Sequence, residues 1–169
     1  MISETAEATI RLLEERDLES LARSLGLSRH HIAGRWHERL QGERTASVAE
    51  MDGEAVGSVS FEERREIPGL MHLYALVVVE PSQSRGIGTR LIASVEEEAR
   101  GRKLAGIHLG VATDNIGALR LYERLGYKRV GEPYMARWMW YGPDGEEREI
   151  SERCFRMVKR FRAARKTAR

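Results

Sequence analysis

The chain has 169 residues, of which 41% are apolar and 32% are charged, and its net charge is +2. This size and balance are typical of one soluble globular domain and leave little room for a second. No apolar run approaches the roughly 20 residues of a membrane helix, and the charged N-terminal segment is unlike a signal peptide. The single cysteine, Cys154, excludes an internal disulfide and favours a reducing cytoplasm.

The first half of the chain predicts a strand, two helices and a hairpin. Residues 8–13 form a short strand, and residues 17–26 form a helix that begins with an acid and ends at a glycine. Residues 28–42 form a second helix. Two alternating runs then flank Asp52-Gly53, which is the strongest short signal for a β-hairpin.

The second half of the chain alternates strands with helices. The apolar segment 70–79 predicts a strand that is covered on both faces. Strand–helix–strand units imply right-handed crossovers and a partly parallel sheet, and the early hairpin makes that sheet mixed. We therefore predict a three-layer α/β fold. The remaining elements are a helix, a strand, a helix and two final strands, at residues 88–101, 105–111, 113–126, 127–141 and 150–161.

A glycine-rich turn, residues 83–89, follows the strand at 70–79 and precedes a helix. Such a turn can bind phosphate, because the first helical N–H groups lack partners and glycine allows close approach to the backbone. Its alternative role is a tight turn without a ligand. The common nucleotide motifs do not fit, since Leu91 stands where a dinucleotide fold has its third glycine and no lysine follows Gly88.

Two segments of the chain resemble motifs of the GCN5-related N-acetyltransferases, a family that binds acetyl-CoA. Residues 83–88, QSRGIG, resemble the Q/R-x-x-G-x-G/A signature, and residues 115–127 resemble the segment N-x-x-A-x-x-L-Y-x-x-x-G-F/Y. The two motifs lie in the family's order and at about its usual spacing. The resemblance implies an N-acetyltransferase domain at residues 9–160, followed by a basic tail at 161–169. It also implies a mixed, mostly antiparallel sheet whose central parallel strands splay apart.

The resemblance implies that acetyl-CoA, as cosubstrate, lies in a cleft between the fourth and fifth strands. In the family the fourth strand carries a bulge and bonds the pantetheine arm through its backbone, while the glycine turn holds the pyrophosphate. Asn115 resembles the family's cofactor-contacting asparagine, although its alternative role is a helix cap. The implied cofactor-binding residues are Leu76, Val77, Val78, Val79, Gln83, Ser84, Arg85, Gly86, Ile87, Gly88, Thr89, Asn115, Ala118 and Tyr122.

Two residues are candidates for proton transfer during catalysis. Tyr122 matches the family's tyrosine that protonates the departing CoA thiolate, and its alternative is a core tyrosine with a polar tip. His72 falls where some members place a basic glutamate, and its alternative is an ordinary strand histidine; as a base it would titrate near 6.5. Glu62, Glu63 and a water chain are further candidates for the base.

The need for a base depends on the acceptor amine. Freeing the lone pair of an alkylammonium with a pKa near 10.4 costs about 4–5 kcal/mol at pH 7, whereas an α-amine near pKa 8 costs about 1 kcal/mol. Aminoglycosides, polyamines, amino-acid derivatives and protein N-termini remain open as acceptors.

The other motifs of the chain give negative or ambiguous expectations. The remaining histidines lack metal-ligand spacing and no cysteine cluster accompanies them, so we expect no metal. Six of the 28 basic residues lie in the last eleven, which leaves the rest of the chain acidic and argues against a nucleic-acid partner. We expect Trp36, Trp138 and Trp140 to serve in packing, and the alternative for Trp138 and Trp140 is to wall an acceptor pocket or to form the contact of a homodimer.

We therefore predict an enzyme that moves the acetyl group of acetyl-CoA to a primary amine of a small molecule or peptide by direct attack in a ternary complex. The alternative is a non-catalytic sensor or scaffold that binds acetyl-CoA or CoA in the same cleft.

Overall fold

The structure, a computed structural model, describes residues 7–26, 28–42 and 44–162. Most of the predicted basic tail, residues 163–169, lies outside the described residues. The helices and strands are β1 (Thr9–Leu12), α1 (Leu18–Leu25), α2 (Arg29–Leu40), β2 (Thr45–Met51), β3 (Glu54–Glu63), β4 (Leu70–Val78), α3 (Ile87–Gly101), β5 (Gly106–Ala112), α4 (Ile116–Arg124), β6 (Lys128–Arg129), β7 (Tyr134–Tyr141) and β8 (Glu147–Arg160).

The predicted order of elements is confirmed up to α4, including the hairpin at Asp52-Gly53. The prediction of one strand over 127–141 is wrong, because that segment is broken into β6 and β7. Gly131 adopts a left-handed conformation with φ of 70°, and Pro133 has no N–H to donate to a neighbouring strand. Both β6 and β7 pair with β8, so they behave as one interrupted strand.

One mixed sheet forms the middle layer, in the order β1-β2-β3-β4-β5-β8-β6, with β7 also paired to β8. β4 and β5 are its parallel pair, and the other pairings are antiparallel. Helices α3 and α4 bury their apolar faces on one side of the sheet, around Leu91 and Leu119. Helices α1 and α2 pack on the other side, around Leu21 and Ile32. The predicted three-layer α/β fold is therefore confirmed.

β4 and β5 splay apart soon after they begin. They pair only at Leu70–Gly106, Met71–Ile107 and His72–His108, after which β4 continues without β5 beside it. A bulge lies just beyond the last pair, because β4 has one residue more than β3 between its pairings and Ala75 has a φ of 51°.

The apolar end of β4 is only partly covered. Residues 75–79 are exposed or half-buried, so the prediction of a strand covered on both faces is wrong at this end. The splay from β5 is the reason, since these side chains border an open gap. None of the helices in the described ranges is long and apolar enough to cross a membrane.

Candidate active site

The turn between β4 and α3 is the segment that the sequence predicts to bind phosphate. Its backbone turns sharply because Ser84 and Gly86 adopt left-handed conformations, with φ of 61° and 75°. The side-chain amide of Gln83 donates a hydrogen bond to the carbonyl of Val78 at 2.9 Å, which holds the turn against the end of β4. Gly86 is the N-cap of α3 and has no side chain to cap it. The first N–H groups of α3 are therefore left for an anion.

The glycines of this turn leave free space that the protein's own packing does not require. A Cβ on Gly86 would meet no heavy atom within 4 Å beyond its chain neighbours, and one on Gly88 would meet only Val78 Cγ2 at 3.9 Å. The left-handed φ of Gly86 accounts for that glycine, because side chains rarely adopt it. Gly88 has no such constraint, so its missing side chain leaves room for a group from outside the fold.

Helix α4 carries the second sequence motif. The side-chain oxygen of Asn115 accepts a hydrogen bond from the Ala118 N–H at 3.1 Å, which is the capping role left open by the sequence. Tyr122 is only 6% exposed and packs edge-on against Tyr127, with ring centroids 5.4 Å apart. Burial raises the pKa of Tyr122 above its usual value, so its hydroxyl keeps its proton at neutral pH.

Tyr122 and His72 lie on opposite faces of the sheet. Met71 and Leu73 belong to the same apolar cluster as Tyr122, on the side of α3 and α4. Because side chains alternate along a strand, His72 points to the other side, toward α1 and α2. The gap between β4 and β5 begins directly after His72 and therefore connects the two faces.

His72 lies in a row of polar side chains that crosses the sheet. Its ring stacks on Tyr74 and on His108, with centroid separations of 5.0 and 4.7 Å. Its Nδ1 is 3.5 Å from Oε1 of Glu62, its cross-strand neighbour on β3. Nε2 of His108 is buried and has no hydrogen-bond partner among the described residues. The row ends at the gap, where a substrate could reach it.

Both candidate bases in this row are deprotonated at neutral pH and only weakly basic. Burial, with the positive charges of Arg64 and His108, lowers the pKa of His72 to about 4. Burial favours the neutral form of Glu62, but the hydrogen bond from Arg64 at 2.6 Å and the charge of Arg44 outweigh it and lower that pKa as well. A proton taken by either group would be held weakly.

The structure places Glu63 away from His72 and brings His108 beside it, a residue that the sequence did not single out. Glu63 is exposed, lies on the face opposite Glu62 and pairs with Arg102 at 3.4 Å, so it is remote from His72. His108 is the added residue. Its position beside His72 follows from the register of the parallel pair, which no local sequence pattern reveals.

A cavity of about 870 Å³ opens on the α2 side of the sheet. It lies between α2, β4 and the hairpin of β7 and β8. The cavity adjoins the polar row, because Tyr74 lines it and also stacks on His72. Trp138 lies in its wall, whereas the ring centroid of Trp140 lies 4.8 Å from the guanidinium carbon of Arg148.

Within residues 7–26, 28–42 and 44–162, no three His, Cys, Asp or Glu side chains are grouped as a metal site would require. Cys154 is buried, and burial raises the pKa of its thiol. It is therefore a poor nucleophile at neutral pH.

Comparison with known proteins gives one family match. Residues 10–127, more than half of the chain, match the acetyltransferase (GNAT) family. An N-alpha-acetyltransferase of Sulfurisphaera tokodaii is 33% identical over 93 residues, which cover 49% of this chain and 56% of that protein. The chain thus spans about half the length of the curated relatives it matches.

Solved structures share the fold over most of the chain. The ribosomal-protein-alanine N-acetyltransferase of Brucella melitensis has a TM-score of 0.71 and 20% identity, with 90% of this chain and 99% of that chain covered. An N-acetyltransferase of Thermoplasma acidophilum in complex with coenzyme A has a TM-score of 0.70 and 15% identity, with 91% and 99% covered. At these identities the similarity concerns the fold alone.

Proposed function

The chain belongs to the GNAT family of acetyltransferases, and from that premise we propose that it transfers the acetyl group of acetyl-CoA to a primary amine. The observation that carries the proposal is the gap between β4 and β5, which opens directly onto the glycine turn before α3. One end of the gap offers unpaired strand backbone, and the other offers unpaired helix N–H groups. A long ligand with a polar amide arm and a pyrophosphate suits both.

We propose that the donor and the acceptor approach from opposite faces of the sheet. The amine enters from the α2 cavity, past Tyr74 and His72, while Tyr122 lies on the side of α3 and α4. The amine nitrogen attacks the thioester carbonyl, the new C–N bond forms, and the C–S bond then breaks. The ammonium first loses one proton to solvent, and after attack the second proton leaves through the row of Glu62 and His72. Tyr122 gives its proton to the leaving sulfur and regains one from water before the next turnover.

The weak basicity of His72 and Glu62 favours an acceptor with an α-amino group. A group with a pKa of about 4 cannot strip a lysine-like ammonium at neutral pH, where the cost is about 4–5 kcal/mol. An α-amine needs only about 1 kcal/mol, so a weak acceptor of its proton is sufficient. The names of the Sulfurisphaera and Brucella relatives, an N-alpha-acetyltransferase and an alanine N-acetyltransferase, point the same way.

Two measurements test the proposal. Calorimetry should give saturable binding of acetyl-CoA and CoA, and release of free thiol should report transfer across a panel of α-amines and alkylamines. We expect turnover with α-amines first. Binding without turnover on any amine would favour the alternative, a CoA-binding sensor or scaffold, and folded protein that binds neither acetyl-CoA nor CoA would refute both.

A further inference from the structure

The α2 cavity contains a guanidinium that no described carboxylate pairs at ion-pair distance. Arg35 projects from α2 into the cavity wall, and its side chain is half-buried. Among the described residues, no carboxylate lies within ion-pair distance of the Arg35 guanidinium and no hydrogen bond from it to another side chain is present, although Glu38, one turn further along α2, attracts it at longer range. A partly desolvated positive charge without a partner is costly, so a charge in this position is available to an incoming anion.

The second arginine at the bottom of the cavity is different, because its charge is already balanced. Arg44 bonds Oε2 of Glu62 at 2.8 Å and lies 3.5 Å from Oε1 of Glu38. Glu38 also lines the cavity, and its ion pair is with Arg44 rather than with Arg35. The other charged lining residues, Arg29 and Glu147, are exposed and opposite in sign. Among the charged residues that line the cavity, three arginines (Arg29, Arg35 and Arg44) outnumber two glutamates (Glu38 and Glu147), so the lining carries an excess positive charge.

His31 lies one turn before Arg35 on α2, and its pKa is affected by the positive charge of Arg35. Burial, together with the charge of Arg35, lowers the pKa of His31 to about 4. His31 is consequently neutral at pH 7 and stacks on Tyr141, with ring centroids 4.6 Å apart. It cannot compensate Arg35, but it can share a hydrogen bond with a ligand held there.

We propose that Arg35 binds an anionic group of the acceptor, so that the substrate is an α-amine that also bears a carboxylate or a phosphate. The inference rests on the proposed N-acetyltransferase function, because it concerns the amine that enters beside Tyr74. A planar guanidinium forms paired hydrogen bonds with either anion, which fixes the direction of the ligand as well as its affinity. The rings of Tyr74, Trp138 and Tyr141 cover the stem between amine and anion.

The test uses two peptides that differ by one charge. CoA-loaded protein is titrated by calorimetry with the amides of Ala-Glu and Ala-Gln, which share the same N-terminal amine and nearly the same size. We expect the glutamate peptide to bind about tenfold more tightly, as one charge-assisted pair allows. Arg35→Gln should abolish the preference, and Arg35→Lys should retain part of it. The amide of Ala-phosphoserine shows which anion is preferred.

Arg23→Gln is the matched control, since it removes the same charge from the exposed face of α1, away from the cavity. It should keep the full preference. Equal affinity for the glutamate and glutamine peptides, or binding of neither, would overturn the inference. So would a preference that survives Arg35→Gln, or one that Arg23→Gln removes equally. CoA affinity in the same samples separates the two proposals: intact CoA binding with no preference refutes this inference alone, whereas absent CoA binding refutes the proposed function.

Discussion

Gly88→Val tests whether the turn before α3 binds the pyrophosphate of the cofactor. Gly88 is the second residue of α3, its backbone is not left-handed, and a Cβ there would meet only Val78 Cγ2 at 3.9 Å. The fold can accept the larger side chain, because its methyl groups would project into free space. That space is where we propose that phosphate oxygens approach the first N–H groups of the helix.

The expected effect on stability is small and the effect on affinity is large. Valine in a helix is favoured over glycine by a few tenths of a kcal/mol, so the free energy of unfolding should hardly change. Phosphate that is pushed away from the helix N-terminus should lose at least tenfold in affinity, or about 1.4 kcal/mol. Gly86→Val is less informative, since valine at a φ of 75° adds backbone strain to any loss of binding.

Calorimetry with CoA measures this loss, and Gly101→Val is the matched control. Gly101 ends the same helix, has no positive φ and has free space around its Cβ position. The control should bind CoA as the unmodified protein does, and thermal unfolding should be similar for all three proteins. If Gly88→Val binds CoA with unchanged affinity, the turn before α3 does not bind the pyrophosphate, and the reasoning is refuted.

Three further changes test the proton path and the packing of the fold. Tyr122→Phe should keep CoA affinity while kcat falls about 10²–10⁴-fold, the usual contribution of a general acid; unchanged kcat, with chemistry shown to be rate-limiting, would contradict the role of the tyrosine. His72→Ala should lower kcat without changing the shape of the pH profile between about pH 5 and 7, because the histidine is already unprotonated there. If the pH profile of the unmodified protein shows a rise in kcat near pH 6.5 that disappears in His72→Ala, His72 titrates normally and this reasoning is wrong. Asp17 is buried and accepts two hydrogen bonds of 2.7 Å from Arg11, and although burial alone would raise its pKa, these bonds hold it below the usual value. Its contribution to stability is therefore present above the unfolded pKa of 3.8 and is lost as the pH falls below it. Asp17→Asn should cost about 3 kcal/mol at pH 7, by denaturant unfolding, and flatten the acid limb, whereas an acid limb that keeps its slope would assign it to other carboxylates.

The sequence predicts most of the elements that local patterns control, with one exception. The hairpin at Asp52-Gly53 and the glycine turn follow from short-range backbone preferences, so the structure has them where they were expected. The break after β6 was missed, although Gly131 and Pro133 mark it, because the apolar and aromatic residues beyond them continue a strand pattern.

The polar row and the unmatched arginine were beyond sequence reasoning. Whether His108 lies beside His72 depends on how two parallel strands align, which no local pattern fixes. The same limit applies to Arg35, because the sequence does not show whether a carboxylate from another element pairs with its guanidinium. The pKa of His72 was expected near 6.5 because its burial and its charged neighbours could not be foreseen.

The short pairing of β4 with β5 also has a mechanical meaning. Seven residue pairs join β2 to β3 and seven join β5 to β8, but only three join β4 to β5. The sheet therefore consists of two well-paired halves, β1–β4 and β5–β8, which are joined by only three residue pairs. Helix α3 packs across both halves. A ligand that forms hydrogen bonds with the unpaired backbone of β4 would continue the sheet pairing beyond these three residue pairs. Such a ligand would link the two halves of the sheet along the line where their own pairing is shortest.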